Sequence, residues 1–240
     1  MSGQMPSTAR DTILARVREA LQVPAPPPHL KAHAAVPAAA GSLPVLPLEA
    51  ARPWLPDGGE SPDESLRILG ENLGRLKAEL HRVADAADAA AFLACLARDR
   101  GWKRVALHGH PLVDSAAREL PCDTYRVDAG SFDKDALEGC DAGVTACESL
   151  VAQTGSVLVS SATCGGRALS VLPHVHVVVA TADQIVPTLA DALNTVRGRH
   201  GGRLPSMLSF ITGPSRTGDI ERILVLGAHG PKELFVLLVG

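Results

Sequence analysis

The stretch HVHVVVAT (174–181), followed by a helical pattern from Asp183 to Val196, decides the fold class. An apolar run this continuous, closed by a threonine, reads as a strand buried on both faces. Working outward, RVALHG (104–109), TYRV (124–127), GVTAC (143–147), SVLVSS (156–161), MLSFITG (207–213), RILVLG (222–227) and ELFVLLVG (233–240) repeat that texture. A second helical pattern, Leu112–Leu120, separates two of them. Buried strands interleaved with helices predict an α/β fold with a mostly parallel sheet in the C-terminal two-thirds. The short connection GAHGP (227–231) between the last two runs predicts that part of the sheet is antiparallel.

Upstream the texture changes. Leu66, Leu69, Leu73, Leu76, Leu80 and Val83 alternate steps of three and four, which predicts one helix with an apolar stripe, and a second helix from Ala86 to Asp99 follows. Ile13, Leu14, Val17 and Leu21 share one face of an N-terminal helix, with Thr8 and Asp11 resembling a capping box. Pro24 and Pro26–Pro28 end it. Ten of the 18 prolines fall between Pro24 and Pro62, so that stretch reads as a linker or extended arm, with Trp54 and Leu55 as its anchors to the body. The expected organisation is an N-terminal helix and proline-rich arm (1–62) followed by an α/β domain (63–240).

Composition removes whole classes of function. Hydrophobic residues are 46% and charged residues 20% of 240, a globular balance for one large domain or a domain with appendages. A net charge of −3 and 3% aromatics supply neither the basic footprint nor the stacking platforms of a nucleic-acid binder. No apolar stretch reaches the ~20 residues of a membrane helix, and the first residues lack a signal-peptide core, so a soluble cytoplasmic protein is expected. Five cysteines stand singly at 95, 122, 140, 147 and 164. Neither an iron–sulfur nor a structural zinc site has its paired thiolates there, so no cofactor and no metal are expected.

Three polar, glycine-bearing segments near strand ends are candidate sites, because ligands of open α/β sheets lie beyond the carboxyl ends of strands. The first is Gly213–Glu221: a turn opening into a helical turn, capped by Ser215, with free amides for an anion. Arg216 there either grips a carboxylate or phosphate or pairs with Asp219 or Glu221. The second is Gly227–Pro231, where His229 is a proton-transfer group or an ordinary turn histidine. The third joins Thr154, Gly155 and Ser156 to Ser160–Arg167, whose hydroxyls and glycines suit a phosphate or carboxylate cradle that Arg167 closes, unless the segment is a surface loop. Were MLSFITG and RILVLG parallel neighbours, the first two turns would emerge together at one sheet edge. His108–Gly109–His110 and His174–Val175–His176 place two histidines on one face of a continuous strand, though no third metal ligand is evident. Glu148 is either a catalytic carboxylate or the start of a helix.

No G-x-G-x-x-G, G-x-x-x-x-G-K-[ST] or G-x-S-x-G occurs. QTGSVLV (153–159), GRALSVLPHVHVVV (166–179), DQIVP (183–187), FITGPSRTGDIE (210–221) and VLGAHGPKEL (225–234) together resemble the LUD domain of the lactate-utilisation protein C family. ARDTILARVREAL (9–21) is similar to that family's N-terminal helix, whereas the proline-rich stretch matches hardly at all. The resemblance implies a three-layer α/β/α sandwich of the sugar-phosphate isomerase and CoA-transferase type. It implies ligand contacts at Thr154, Gly155, Arg167, Ser215, Arg216, Thr217, Asp219 and Gly230, to which the hydroxyl of Ser156 is added, with Glu221 and His229 as candidate catalytic groups. Gln153 stands where relatives often have glutamate, and Gly218 where they have alanine.

The resemblance further implies a non-redox component of an L-lactate-oxidising system, working beside iron–sulfur partner proteins and holding a small carboxylate or phosphate. Two other readings stay open: an isomerase or acyl transferase acting alone on a phosphorylated or CoA-linked acid, and a carboxylate-binding module without chemistry.

Overall fold

The computed structural model describes residues 9–22, 55–127, 133–202, 204–218, 224–226 and 230–240. Two units divide the chain between Ala51 and Arg52. The described part of the first is the helix α1 (Ala9–Gln22), on which Ile13, Leu14 and Val17 are exposed. Thr8 and residues 23–54, which include Trp54 and most of the expected arm, lie outside the described residues. Leu55 is exposed rather than an anchor.

The second unit opens with α2 (Pro62–Arg75), β1 (Glu79–Val83), α3 (Ala86–Arg100), β2 (Arg104–Leu107), α4 (Pro111–Ala117) and β3 (Asp123–Arg126). Next come α5 (Lys134–Glu138), β4 (Ala142–Thr145), β5 (Ser149–Val151), a 3₁₀ turn (Ala152–Thr154), β6 (Ser156–Ser160) and β7 (Val175–Thr181). A second 3₁₀ turn (Ala182–Gln184), β8 (Ile185–Val186), α6 (Leu189–Arg199), β9 (Leu208–Ile211), β10 (Arg216–Gly218), β11 (Leu224–Leu226) and β12 (Glu233–Val239) complete it. Local chemistry sets the helix starts. Ser61 caps α2 ahead of Pro62, Asp85 accepts the Ala87 and Asp88 amides of α3, and Thr188 with Asp191 forms a capping box on α6.

The main sheet has six strands in the order β1-β12-β7-β4-β2-β3, and every pairing is parallel. Antiparallel pairing is confined to a smaller sheet, β8-β5-β6-β9, and to the hairpin β10-β11. The expected antiparallel portion of the main sheet is therefore absent among the described residues. β11 folds back on β10, and the chain then enters β12 between β1 and β7.

Side chains alternate along β7. Val175, Val177 and Val179 pack with Leu93 of α3, Val113 of α4 and Leu237 of β12, while Val178 and Ala180 pack with Leu69 and Leu73 of α2 and with Val157 and Val159 of β6. Helices thus cover both faces, and the small sheet shares the second face with α2. Val151 and Leu158 turn the other way, onto Ala192 and Val196 of α6. Each fully buried leucine, such as Leu69 or Leu73, contributes about 1.5–3 kcal/mol.

The stripe from Leu66 to Val83 is not one helix. α2 ends at Arg75, Lys77 adopts a left-handed φ of 63°, and Leu80 and Val83 belong to β1. Among the described residues, no helix is long and apolar enough to cross a membrane.

Candidate functional site

β2 and β4 are neighbours, but their chains leave the sheet in opposite directions. After β2 the chain enters α4 on one face; after β4 it enters β5 on the other. Such a reversal opens a crevice at the carboxyl ends of the strands. A cavity of about 560 Å³ lies there, lined by His110 and Ser115 after β2, Ala146 and Cys147 after β4, and Thr181, Asp183 and Gln184 at and after β7. Thr163 and Arg199 complete its polar wall. A second cavity of about 440 Å³ shares His110 and Thr163 with the first.

Behind Thr163 and Arg199 lies Glu148, which is fully buried. Its Oε1 accepts from Ser160 Oγ (2.7 Å), Thr163 Oγ1 (2.5 Å) and His200 Nε2 (3.1 Å), and its Oε2 accepts from Arg199 Nη1. Burial alone would raise the carboxyl pKa. The hydrogen bonds from Thr163, Ser160, His200 and Arg199 outweigh it and hold the pKa at about 2. The carboxylate is thus a fixed anion that orients a guanidinium at the cleft. It starts no helix; its amide donates to Leu158 O in the small sheet.

β2 ends at Leu107, so His108 and His110 are not successive same-face residues of one strand. His108 Nε2 accepts the Ala146 N–H (3.1 Å), which leaves the ring proton on Nδ1. Burial, reinforced by the neighbouring His110, lowers its pKa to about 4. His110 Nδ1 accepts the Leu112 N–H (3.3 Å) and caps α4. In the other pair, His174 precedes β7, while His176 is fully buried with Nε2 on the Thr145 hydroxyl (2.9 Å). Among the described residues, no group of three or more His, Cys, Asp or Glu is arranged to hold a metal.

The segments singled out from the sequence are distributed differently. Thr154–Ser156 and Ser160–Arg167 stand at opposite ends of β6, five residues and roughly 16 Å long, and so do not form one cradle. At its start, Thr154 Oγ1 meets Ser156 Oγ (2.7 Å), and Ser156 Oγ meets Thr212 Oγ1 (2.7 Å). Close by, the Ser215 amide donates to Pro231 O (2.8 Å), and a Cβ on Gly230 would lie 3.2 Å from Ser215 Cβ. The turns at 213–215 and 230–231 therefore touch, but at the amino end of the main sheet. Pro231 leads into β12, and Gly213 packs on Leu76, which leads into β1. The expected placement at the carboxyl edge required β9 and β11 to be parallel neighbours; β9 pairs with β6, and β11 with β10. Residues 216–218 are extended, not a helical turn. Asp219, Glu221 and His229, and the side chains of Arg216 and Thr217, lie outside the described residues. Arg167 is exposed at the far end of β6, where its Nη2 donates to Ser206 O (3.4 Å).

Sequence reasoning missed Arg199 and His200. The only local sign was the basic end of the last helix before Gly201–Gly202, a position 51 residues from Glu148.

Residues 66–239 match the LUD domain. Lactate utilization protein C of Bacillus subtilis (strain 168) is 33% identical over 128 residues, 52% of this chain and 53% of that protein. Its namesake from Shouchella clausii is 36% identical over 103 residues, 42% of this chain and 45% of that protein. The chain thus spans about half the length of the curated relatives it matches. A crystal structure of a DUF162 family protein from Deinococcus radiodurans superposes with a TM-score of 0.56 at 25% identity, covering 76% of this chain and 100% of that one. With the match to residues 66–239 spanning most of its length, the chain belongs to the LUD domain family.

Proposed function

We propose that the chain is a non-redox component of a lactate-utilisation system, seating a small carboxylate in the cleft between the carboxyl ends of β2 and β4 and working beside iron–sulfur partner proteins. The observation that carries this reading is Arg199. Glu148 engages its Nη1, and its Nη2 and Nε donate to no acceptor among the described residues while the side chain lines the cavity. A guanidinium oriented in this way has N–H groups left for a carboxylate. His110 shares the same wall, and its Nδ1 is engaged by Leu112, which leaves Nε2 for the 2-oxygen of a short hydroxy or oxo acid. The hydroxyls of Thr154, Ser156 and Thr212 at the amino end are a weaker candidate, because they bond one another. The relatives' names supply the lactate context, and the single spacing of the cysteines supports a chain without its own cluster.

Calorimetric titration with L-lactate and pyruvate tests the reading. The comparison is the double variant Glu148→Gln/Arg199→Met, which removes both charges together and leaves no buried carboxylate unpaired. Saturable binding by the native protein, weakened at least about tenfold in the variant, is expected. Equal binding by the two proteins, or none by either, overturns it.

A further inference from the structure

The second cavity, about 440 Å³, shares His110 and Thr163 with the cleft and is walled by two glycine-bearing loops, 108–110 and 161–166. No carboxylate lines it among the described residues. His108, only 4% exposed, is on its wall. Because Nε2 is occupied by the Ala146 amide, the ring offers Nδ1–H, which has no acceptor among the described residues. The amides of Gly109, His110, Gly165 and Gly166 likewise donate to no acceptor among them, although other amides of the same loops are engaged: Ala162 and Thr163 on Ser160 Oγ, and Cys164 on Ser160 O. Gly165 and Gly166 are both left-handed (φ 78° and 82°), and a Cβ on Gly165 would lie 3.0 Å from His108 Cβ, so the glycine loop and the histidine are closely fitted. Arg167 follows directly. Its guanidinium reaches Ser206 O, and Ser206 Oγ meets Ser161 Oγ (3.0 Å), whose residue lines the cavity, so a positive charge stands one residue behind that wall.

Unengaged N–H groups on His108 and the two glycine-bearing loops, no carboxylate among the described lining residues and a guanidinium nearby suit an oxyanion with several acceptor atoms. We infer that this chamber binds a phosphoryl group, esterified or free, so the natural ligand carries or is accompanied by phosphate rather than being a three-carbon acid alone. This goes beyond the carboxylate reading and does not depend on it, because the chamber's donors are separate from Arg199.

Inorganic phosphate is the probe, titrated into the full chain at constant ionic strength and followed by calorimetry and phosphorus NMR. A phosphorylated three-carbon acid is titrated in parallel. Gly109 has an ordinary backbone, and a Cβ there would meet nothing within 4 Å, so Gly109→Asp adds a carboxylate on a Cβ that has room. Arg167→Glu reverses the nearby charge at an exposed position, which keeps the test intact should the first variant fold poorly. Native protein is expected to bind phosphate saturably in the millimolar range or tighter, and each variant to bind at least about tenfold more weakly. Tighter binding of the phosphorylated acid than of phosphate identifies an esterified ligand as the source; equal binding identifies free phosphate, and both support the site. Absence of saturable binding overturns the proposal. So does phosphate binding that survives both variants but is lost in Glu148→Gln/Arg199→Met, because the anion then sits on Arg199. Pyruvate is titrated alongside. Its failure to bind while phosphate binds overturns only the carboxylate reading.

Discussion

Arg199 and Glu148 form an ion pair whose two halves live in different environments: the guanidinium side chain is 44% exposed and the carboxylate is wholly buried. The pair is therefore asymmetric in its consequences. Glu148→Leu deletes the acceptor of Ser160, Thr163, His200 and Arg199 together, and should cost about 3–5 kcal/mol in urea unfolding. Arg199→Met leaves three donors on the carboxylate and should cost less. The double variant Glu148→Gln/Arg199→Met should be more stable than the sum of its singles. Additivity within about 0.5 kcal/mol would show that the pair is not coupled.

Acid should destabilise the protein in two successive, overlapping windows. Burial holds His176 at about 3, and burial with the nearby His110 holds His108 at about 4, both below the ordinary 6.5. The native state keeps both neutral while the unfolded chain takes up protons, so stability present above pH 6.5 is lost as pH falls toward those values. Glu148, held at about 2, acts later, between about pH 4.5 and 2. Between pH 6 and 5 the two histidines should give a slope of about 2–2.5 kcal/mol per pH unit. His176→Leu should roughly halve it, although the lost Thr145 contact lowers stability at every pH. An undiminished slope in denaturant unfolding at pH 6 and 5 would contradict this assignment.

The runs at 174–181 and 233–240 were legible as strands because β7 and β12 are buried on both faces and leave no polar alternation to confuse with a helix. β1 was not legible. Leu80 and Val83 continue the helical spacing of Leu66–Leu76, and the break is made by Lys77, a residue with no preference for the left-handed region it occupies. The site was legible only in pieces. Glu148 and the histidines stood out by type, but the partner that gives Glu148 its role is 51 residues away on α6. The anion turns misled for a topological reason: the 230–231 turn precedes a parallel strand, and so lies at its amino end.

Cysteine reactivity should follow burial. Cys95 is exposed, whereas Cys140, Cys147 and Cys164 are buried and desolvation raises their thiol pKa values, most of all at Cys147. Thiolates are the reacting species, so iodoacetamide at neutral pH should modify Cys95 first. Cys147 and Cys164 should react only after denaturant is added, as read by peptide mass spectrometry. Early labelling of Cys147 would mean that the cleft opens to expose it.

Gly155 separates a ligand contact from a packing contact. The sequence placed it among the anion-binding residues; in the fold it terminates the 3₁₀ turn at Ala152–Thr154 with a left-handed φ of 64°. A Cβ there would lie 2.9 Å from Asn72 Cβ and 3.0 Å from Asn72 C, against a helix that also donates from Asn72 Nδ2 to Ala152 O (2.8 Å). Gly155→Ala must therefore carry both a backbone penalty and a clash with α2, together about 2–4 kcal/mol. Gly109→Ala, with open space and an ordinary φ, should stay within about 0.5 kcal/mol of the native protein. Thermal and urea unfolding of the two variants, beside pyruvate and phosphate titrations, separates the roles. If Gly155→Ala leaves stability unchanged and weakens binding, the amino-end turns hold the ligand and the carboxyl-end cleft does not.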